Sequence, residues 1–392
     1  VLSFTAKRRG KAPSHLADLD AAGRKQVLKD LGLPAFRADQ LSRHYFTHFE
    51  ADPANMSDIP ARMRDAVSEA LLPTLVTKVV SLEADCGRTI KDLWRLYDGA
   101  QVESVLMRYP QRTTLCVSSQ AGCGMACPFC ATGQMGLTRN LSTAEIVDQV
   151  REAQASCRDG KLAGGPTKLS NVVFMGMGEP LLNYNALLPA LRALLDDHGY
   201  GLSRRRVTVS TSGVVPLIDR LSEDCPVALA VSLHASNDTL RDQLVPLNRK
   251  YPLKELLAAC QRYLKVAPRD FITFEYVMLK DINDSVAHAR ELAALVADVP
   301  CKFNLIPFNP FPNSGLSRSS DRTIRQFGDV LLRAGIVTTV RRTRGDEIDA
   351  ACGQLAGEVV DRTRLRERTV QFHRPAARQG GRSGGNGQPA RA

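Results

Sequence analysis

Three cysteines stand close together in the stretch "CGMACPFC", at Cys123, Cys127 and Cys130. The chain of 392 residues has only ten cysteines, so these three are a clear concentration of thiols. Thiolates bind zinc and iron–sulfur clusters. A structural zinc site usually takes two pairs of ligands, and no second pair of cysteines or histidines follows at the usual spacing. Three thiolates on a four-iron cluster would leave one iron open to a substrate.

Glycines and small polar residues recur just after the predicted strands. In "MGMGEP", Gly176 and Gly178 let the backbone approach a ligand closely, and Glu179 can accept hydrogen bonds from an amine. Further candidates follow other strands: Ser210, Ser232, Leu233, His234 and Asn309. Residues past the carboxyl ends of parallel strands face one crevice, which predicts a shared ligand site. Taken singly, Glu179 could merely start a turn and His234 could be a core histidine.

The elements that must position these residues form a repeating series. From Thr113 onward, seven short β-branched runs alternate with helix-like segments, and this predicts a parallel sheet. The runs are "TLCVSS", "NVVFMG", "RVTVSTS", "PVALAVSLH", "FITFEYVML", "CKFNLIPF" and "GIVTTVRR". We predict an α/β fold, a partial (β/α)6 barrel of the TIM type with an N-terminal helical domain and a β-hairpin extension. A doubly wound open sheet is the alternative.

Five segments are predicted along the chain. They are a helical accessory domain at 14–75, a β-hairpin extension at 76–110, the barrel at 111–356, a C-terminal segment at 357–372 and a disordered basic tail at 373–392. We expect Ser14 to cap the first helix. Asp98-Gly99 between two strand patterns predicts a hairpin whose primed turn needs positive φ at both residues.

The charge and composition of the chain indicate what kind of partner and which cell compartment to expect. The net charge is +11, and the four arginines of the acid-free end Arg374–Ala392 leave +7 on the rest. That excess suits a polyanionic partner, although solubility alone would also explain it. The sequence has no apolar run of 18 residues and begins without the apolar stretch of a signal peptide, so we expect a soluble cytoplasmic protein that contacts no membrane. In that reducing compartment, clustered cysteines indicate metal binding or catalysis.

Several stretches together resemble one group of enzymes. A CxxxCxxC loop after the first barrel strand, followed by "MGMGEP", resembles the radical S-adenosylmethionine (SAM) superfamily. The wider set "CVSSQAGCGMACPFCATGQMGLTRNL", "VVFMGMGEPLLNY", "VTVSTSGVVP", "AVSLHASND", "LIPFNPFP" and "RRTRGDEIDAACGQL" resembles the RNA adenine carbon-2 methyltransferases. That family modifies adenosine 2503 of 23S rRNA and often adenosine 37 of tRNA. The likeness covers about residues 15 to 356.

The resemblance implies two cofactors. One [4Fe-4S] cluster per chain would be held by Cys123, Cys127 and Cys130, with its open iron bound by SAM, and two SAM molecules would be used per turnover. The residues implied for the SAM pocket are Gly178, Glu179, Ser210, Ser232, Leu233, His234 and Asn309.

The resemblance also implies catalytic roles for Cys352, Cys116 and Glu103. Cys352 would take a methyl group from one SAM. A deoxyadenosyl radical from the second SAM would remove a hydrogen from that methyl, and the methylene radical would add to adenine. Cys116 would then attack the sulfur of Cys352, forming a transient disulfide, and Glu103 would accept the proton of carbon 2. Without the resemblance, Cys116 would be interpreted as buried packing and Glu103 as part of a solvated strand face.

The implied partners are 23S rRNA, tRNA and an electron donor such as flavodoxin or ferredoxin, and nothing requires more than a monomer. The candidates for RNA contacts are the N-terminal helical domain at 14–75, Arg204–Arg206 and Arg341–Arg342, with surface charge as the alternative. Two other functions stay open. One is methylation of adenine carbon 8 by an enzyme of the same superfamily. The other is RNA binding without catalysis, in which the cysteines would bind a metal that holds their loop in place.

Overall fold

The computed structural model describes residues 12–312 and 314–341, together with Gly345 and Ile348. Cys352, Arg342 and the predicted segments 357–372 and 373–392 lie outside the described residues. The α-helices are α1 (Ala21–Asp30), α2 (Arg37–Phe46), α3 (Ala61–Leu71), α4 (Ala131–Gln134), α5 (Thr143–Arg158), α6 (Tyr184–Leu195), α7 (Val215–Asp224), α8 (Asp238–Leu244), α9 (Leu253–Leu264), α10 (Val286–Leu295) and α11 (Asp321–Arg333). Short 3-10 helices occur at Leu16–Asp18, Pro53–Asn55, Pro180–Asn183 and Pro246–Arg249.

Twelve strands are described. They are β1 (Val76–Ala84), β2 (Thr89–Leu96), β3 (Gln101–Tyr109), β4 (Arg112–Cys116), β5 (Gln120–Gly122), β6 (Leu137–Asn140), β7 (Asn171–Phe174), β8 (Val207–Thr211), β9 (Ala228–Ser232), β10 (Ile272–Met278), β11 (Cys301–Pro307) and β12 (Val337–Val340). Ten of them form one sheet in the order β1-β2-β3-β4-β7-β8-β9-β10-β11-β12, and β5 pairs with β6.

The pairing of strands in the large sheet changes from antiparallel to parallel at β4. Strands β1 to β4 pair antiparallel, whereas each pairing from β4 to β12 is parallel and is bridged by at least one helix. The predicted α/β class is therefore confirmed, and all seven β-branched runs contain a strand. Six parallel strands, β4 and β7 to β11, are each followed by a helix, as the predicted (β/α)6 arrangement requires, and "GIVTTVRR" adds β12 at the edge.

The parallel strands curve around a common interior. Ser232 of β9 pairs with Glu275 of β10, and Glu275 pairs with Asn304 of β11, so these three side chains share one face. Met175, just after β7, and Ile306 of β11 line one cavity, although three strands separate β7 from β11 in the sheet. This curvature agrees with the partial barrel expected from the sequence.

Two local predictions are wrong in detail. Ser14 is not a cap; His15 caps the first 3-10 helix, and the Asp20 side chain caps α1 by accepting the N–H of Gly23. The β2–β3 hairpin exists, but only Gly99 of its two central residues has a positive φ, 86°. The primed turn therefore does not form, and the backbone N–H of Gly99 bonds the carbonyl of Leu96 instead.

The N-terminal helices pack against α5 through buried polar contacts. The hydroxyl of Tyr45 donates to Asp148 Oδ1 at 3.1 Å, and both residues are buried. The backbone N–H of Ala144, in the first turn of α5, donates to Asp18 Oδ1 at 2.9 Å. Buried bonds of this kind hold neighbouring elements in a fixed arrangement, because breaking one leaves an unpaired polar group.

His15 makes the stability of this region depend on pH. Its Nδ1 accepts the backbone N–H of Ala17 at 3.0 Å, so the ring is neutral. Burial lowers the pKa of His15 from 6.5 to about 4. Between these two values the unfolded chain binds the proton more readily than the folded one, so stability falls as the pH falls. We expect a change from about pH 7 to about pH 5 to lower the free energy of unfolding by about 2 kcal/mol through this residue.

Urea unfolding of the wild type and His15→Asn at both pH values measures this effect. Asparagine can accept the same backbone hydrogen bond but does not titrate. The variant should therefore lose about 2 kcal/mol less than the wild type on acidification. An equal loss in the two proteins would contradict the assignment of this effect to His15.

Candidate active site

The three clustered cysteines lie in the loop between β5 and α4. Cys123 and Cys127 are buried, and Cys130 is partly exposed. The backbone N–H of Cys130 donates to the carbonyl of Cys127 at 3.1 Å, and that of Cys123 to the carbonyl of Gly136 at 3.0 Å. Ala126 has a φ of 55°, which turns the chain sharply between the first two cysteines. The loop thus places all three cysteines along the wall of one cavity.

The chemistry of these thiols fits an iron–sulfur cluster. Burial, reinforced by the charge of Cys130, raises the pKa of Cys123 to about 12 and that of Cys127 well above its ordinary range. Thiolates here therefore require positive charge nearby, which metal ions supply. In the described part of the chain, no three His, Cys, Asp or Glu side chains are arranged to hold a single metal ion. In a four-iron cluster each thiolate binds a different iron, so three cysteines spread along one wall can serve such a cluster.

The glycine–glutamate loop after β7 forms the opposite wall of the cavity. Gly178 has a φ of 103°, and a Cβ there would lie 2.5 Å from the Cβ of Gln120. Gln120 Oε1 accepts the backbone N–H of Glu179 at 2.8 Å, which fixes the loop. The Glu179 carboxylate is buried and accepts the N–H groups of Ser212 at 2.7 Å and Leu181 at 3.2 Å. Burial raises its pKa, and the hydrogen bonds oppose that shift.

The ends of β8 and β9 contribute Ser210, Ser232 and His234 to the same cavity. Burial lowers the pKa of His234 to about 3. Its Nδ1 accepts the backbone N–H of Val277 at 3.1 Å, and its ring meets that of Phe129 edge-on at 4.6 Å. His234 is therefore a neutral residue that is held in one tautomer at the cavity wall.

The cavity continues towards β10 and β11, where Asn309, Glu275 and Arg341 line it. Glu275 is buried, and burial raises its pKa. Its Oε1 accepts Asn304 Nδ2 at 2.8 Å, and Asn304 Oδ1 accepts the hydroxyl of Thr339 at 2.6 Å. Polar side chains thus extend across three neighbouring strands beneath the cavity. Leu233 is buried behind this wall and donates its backbone N–H to the carbonyl of Glu275 at 3.0 Å.

Cys116 and Glu103 lie together on the sheet, and both are buried. Cys116 of β4 pairs with Val105 of β3, and Glu103 is two residues from Val105, so both side chains project from the same face. The Nζ of Lys91 lies 3.5 Å from Glu103 Oε1. Neither Cys116 nor Glu103 lines the two described parts of the cavity.

A hydrogen-bonded link joins this pair to the glycine–glutamate loop. The hydroxyl of Ser118, two residues after Cys116, donates to the carbonyl of Glu103 at 2.5 Å and accepts the N–H of Met177 at 2.8 Å. The catalytic roles predicted for Cys116 and Glu103 stay predictions, as does that of Cys352, which lies beyond the described residues.

The basic residues named as RNA candidates are not all at this cavity. Arg341 lines it, and Arg342 is outside the described residues. Arg204, Arg205 and Arg206 precede β8, so they lie at the amino-terminal end of the parallel strands, opposite the cavity. Their order in the chain already implies this, because residues before a strand and residues after it lie at opposite ends of the sheet.

Arg241 is a residue that the sequence analysis missed. It is completely buried on α8 and donates to the carbonyls of Ser212 at 2.7 Å, Ser232 at 3.0 Å and Leu233 at 3.1 Å. A fourth bond joins it to Asn248 Oδ1 at 2.9 Å. Arg241 therefore ties together the ends of β8 and β9. No sequence signal identifies it, since its partners are backbone groups of other elements.

Comparison with known proteins adds an independent observation. The profile of the radical SAM superfamily matches residues 117–293. The chain is similar to a radical SAM methyltransferase from Sphaerobacter thermophilus, with 47% sequence identity and a TM-score of 0.84 over 88% of this chain and 100% of that chain. No helix in the described ranges has the length and apolar character needed to cross a membrane.

Two distant structures also match. A domain of the pyruvate-formate lyase-activating enzyme from Bacteroides vulgatus shares 17% identity with a TM-score of 0.35, over 44% of this chain and 99% of that one. SuiB from Streptococcus suis, bound to its precursor peptide SuiA, shares 12% identity with a TM-score of 0.44, over 61% of this chain and 50% of that one.

Proposed function

Because the chain belongs to the radical SAM methyltransferases, we propose that it methylates carbon 2 of an adenine in RNA, namely adenosine 2503 of 23S rRNA and adenosine 37 of tRNA. Carbon 2 lies between two ring nitrogens. In the free base its hydrogen is not acidic enough to be removed, and the carbon itself is not a nucleophile. Carbon 2 therefore cannot take a methyl group by nucleophilic attack on SAM. When bound, a four-iron cluster and SAM supply a carbon-centred radical, which can react with such a carbon.

The position of Cys116 and Glu103 on one face of the sheet is the observation that carries this proposal. A cysteine and a carboxylate on one sheet face, linked through Ser118 to the loop of Glu179, give the two groups that this reaction needs. Cys352 accepts a methyl group and presents it to the base. Glu103 takes the proton from carbon 2. The thiolate of Cys116 would then attack the sulfur of Cys352 and break its bond to the transferred carbon, leaving a disulfide for reduction. The freed carbon would take up a proton to become the methyl group, and the unpaired electron would return to the iron–sulfur cluster.

The residues of the cavity have distinct binding roles in this proposal. Cys123, Cys127 and Cys130 would hold the cluster, and the buried carboxylate of Glu179 would accept a hydrogen bond from the amino group of SAM. Ser210, Ser232, His234 and Asn309 line the cavity and would contact the rest of that molecule. The target base must leave its stack to reach so enclosed a site. A soluble electron donor, such as flavodoxin or ferredoxin, supplies the reducing electron.

Nucleoside analysis tests the function directly. The protein is purified without oxygen, reduced in the presence of SAM and incubated separately with 23S rRNA and tRNA. We expect 2-methyladenosine in the digested RNA and a methyl group on the Cys352 peptide. Finding 8-methyladenosine instead would assign the carbon-8 reaction. Tightly bound zinc, with no cleavage of SAM, would indicate the non-enzymatic alternative.

Two buried cysteines provide a matched pair of variants. Cys116→Ala should lower the yield of released 2-methyladenosine at least about 100-fold while SAM is still cleaved, because the base cannot leave Cys352. Cys157→Ala, at a buried cysteine of α5, should retain methylation. Release of methylated base from Cys116→Ala at the wild-type rate would refute the role of Cys116.

A further inference from the structure

Five cations gather at the end of the sheet opposite the cavity. Arg112 is the first residue of β4, Arg205 and Arg206 directly precede β8, Arg269 lies in the loop before β10, and Lys302 is the second residue of β11. All are therefore at the amino-terminal ends of parallel strands. We call these five residues the basal cation cluster.

Backbone and ring contacts hold the basal cation cluster in place. Arg269 Nη2 donates to the backbone carbonyl of Arg205 at 2.5 Å. The ring of Phe271 lies 5.8 Å from the guanidinium of Arg269 and 5.3 Å from the Nζ of Lys302. Cation–π contacts at such distances orient the charged groups without neutralising them. The guanidinium of Arg112 is held similarly, 4.4 Å from the ring centre of Tyr109.

The charges of the basal cation cluster repel one another. Burial lowers the pKa of Arg269, and the charges of Arg205, Arg206 and Arg112 lower it further. Burial and the charge of Arg269 likewise lower the pKa of Lys302, and Glu275 acts in the opposite direction.

Within the described ranges, no carboxylate lies within ion-pair distance of any member of the basal cation cluster. Other arginines differ: Arg139 pairs with Asp98 at 2.8 Å, and Arg262 pairs with Asp219 at 2.8 Å. Like charges that are held together without counterions favour the binding of an anion.

We propose that the basal cation cluster binds phosphodiester groups of the RNA substrate, at a point remote from the target base. This inference rests on the proposed function. Arg112, Arg205 and Arg206 are exposed, and the planar guanidinium group matches the geometry of a phosphate. A protein partner would need an apolar centre, and the aromatic rings beside the cluster, Phe271 and Tyr109, are both partly buried under its cations.

The length of the strands sets how far apart the two sites are. Strand β10 has seven residues. At a rise of about 3.3 Å per residue, its two ends are on the order of 20 Å apart. An RNA bound at the cavity can reach the basal cation cluster only around the outside of the sheet and its helices, so a long folded RNA can bind at both ends more readily than a short stem-loop.

Binding of two RNAs to the full-length protein tests this inference. One is a labelled stem-loop of about 20 nucleotides that contains the target adenine, and the other is a 23S rRNA fragment of about 100 nucleotides around the same stem-loop. The variant Arg112→Gln/Arg205→Gln removes two exposed members of the basal cation cluster. The control Arg290→Gln/Arg325→Gln removes two exposed arginines from α10 and α11. Dissociation constants are measured by fluorescence anisotropy over a series of salt concentrations.

We expect the cluster variant to bind the long fragment about tenfold more weakly than the wild type, and its salt slope to fall by about 2. Its affinity for the stem-loop should match that of the wild type, and the control should bind both RNAs normally. Unchanged binding of the long fragment, or an equal loss in the control, would overturn the inference while leaving the proposed function intact. If the cluster variant lost as much affinity for the stem-loop as for the long fragment, the cluster would lie near the target base, and the inference of a remote site would be overturned. A wild type that binds neither RNA would refute the proposed function together with this inference.

Discussion

Cys130→Ala is expected to abolish cleavage of SAM and methyl transfer, with a loss of at least about 1000-fold in rate. Cys130 is one of three thiols in the loop between β5 and α4, and it lines both described parts of the cavity. A cluster that is left with two cysteine ligands binds weakly, because each thiolate holds its own iron. Iron content per chain, absorbance near 400 nm and formation of 5'-deoxyadenosine measure the effect.

Cys301→Ala is the matched control, since Cys301 is also a partly exposed cysteine and lies at the start of β11. It should keep the iron content and the cleavage of SAM that the wild type shows. If Cys130→Ala and Cys301→Ala retain equal iron, the three clustered cysteines do not hold the cluster.

Replacement of Arg241 by methionine is expected to cost about 3 kcal/mol of unfolding free energy, and to weaken SAM binding. The side chain is fully buried and gives hydrogen bonds to three carbonyls at the ends of β8 and β9. Methionine fills similar space but leaves these carbonyls without donors. Burial lowers the pKa of Arg241 to about 10, so the group stays charged near neutral pH.

Urea unfolding and calorimetric titration with SAM measure the two consequences. Arg262→Met is the control, because Arg262 is exposed and makes a surface ion pair with Asp219. It should change the unfolding free energy by no more than about 1 kcal/mol and leave SAM binding unaltered. Equal stabilities of Arg241→Met and Arg262→Met would show that the buried guanidinium does not hold the strand ends.

The sequence predicted the parallel sheet and most of the cavity wall, because both depend on local pattern. Alternating β-branched runs and helices have few ways to bury their apolar faces, and residues after parallel strands must meet at one end. That is why Cys130, Glu179, Ser210 and His234 lie around a common space.

Other features depended on contacts between distant segments and were missed or wrong. Arg241 and the Lys91–Glu103 pair bring together residues from separate elements, which periodicity cannot reveal. The cap expected at Ser14 fails because His15, one residue later, accepts the N–H of Ala17 instead. Charge alone singled out Arg204–Arg206, yet charge does not say at which end of the sheet the residues lie.

The buried bonds between the N-terminal helices and α5 have a thermodynamic consequence for binding. Tyr45 with Asp148, and Asp18 with Ala144, fix the orientation of the helices before any ligand arrives. A flexibly tethered module would lose rotational freedom whenever a ligand bridged it to the sheet, and that loss would weaken binding. Here the loss has already occurred during folding. A ligand that touches both parts meets a preorganised surface, and its affinity is not diminished by ordering one part against the other.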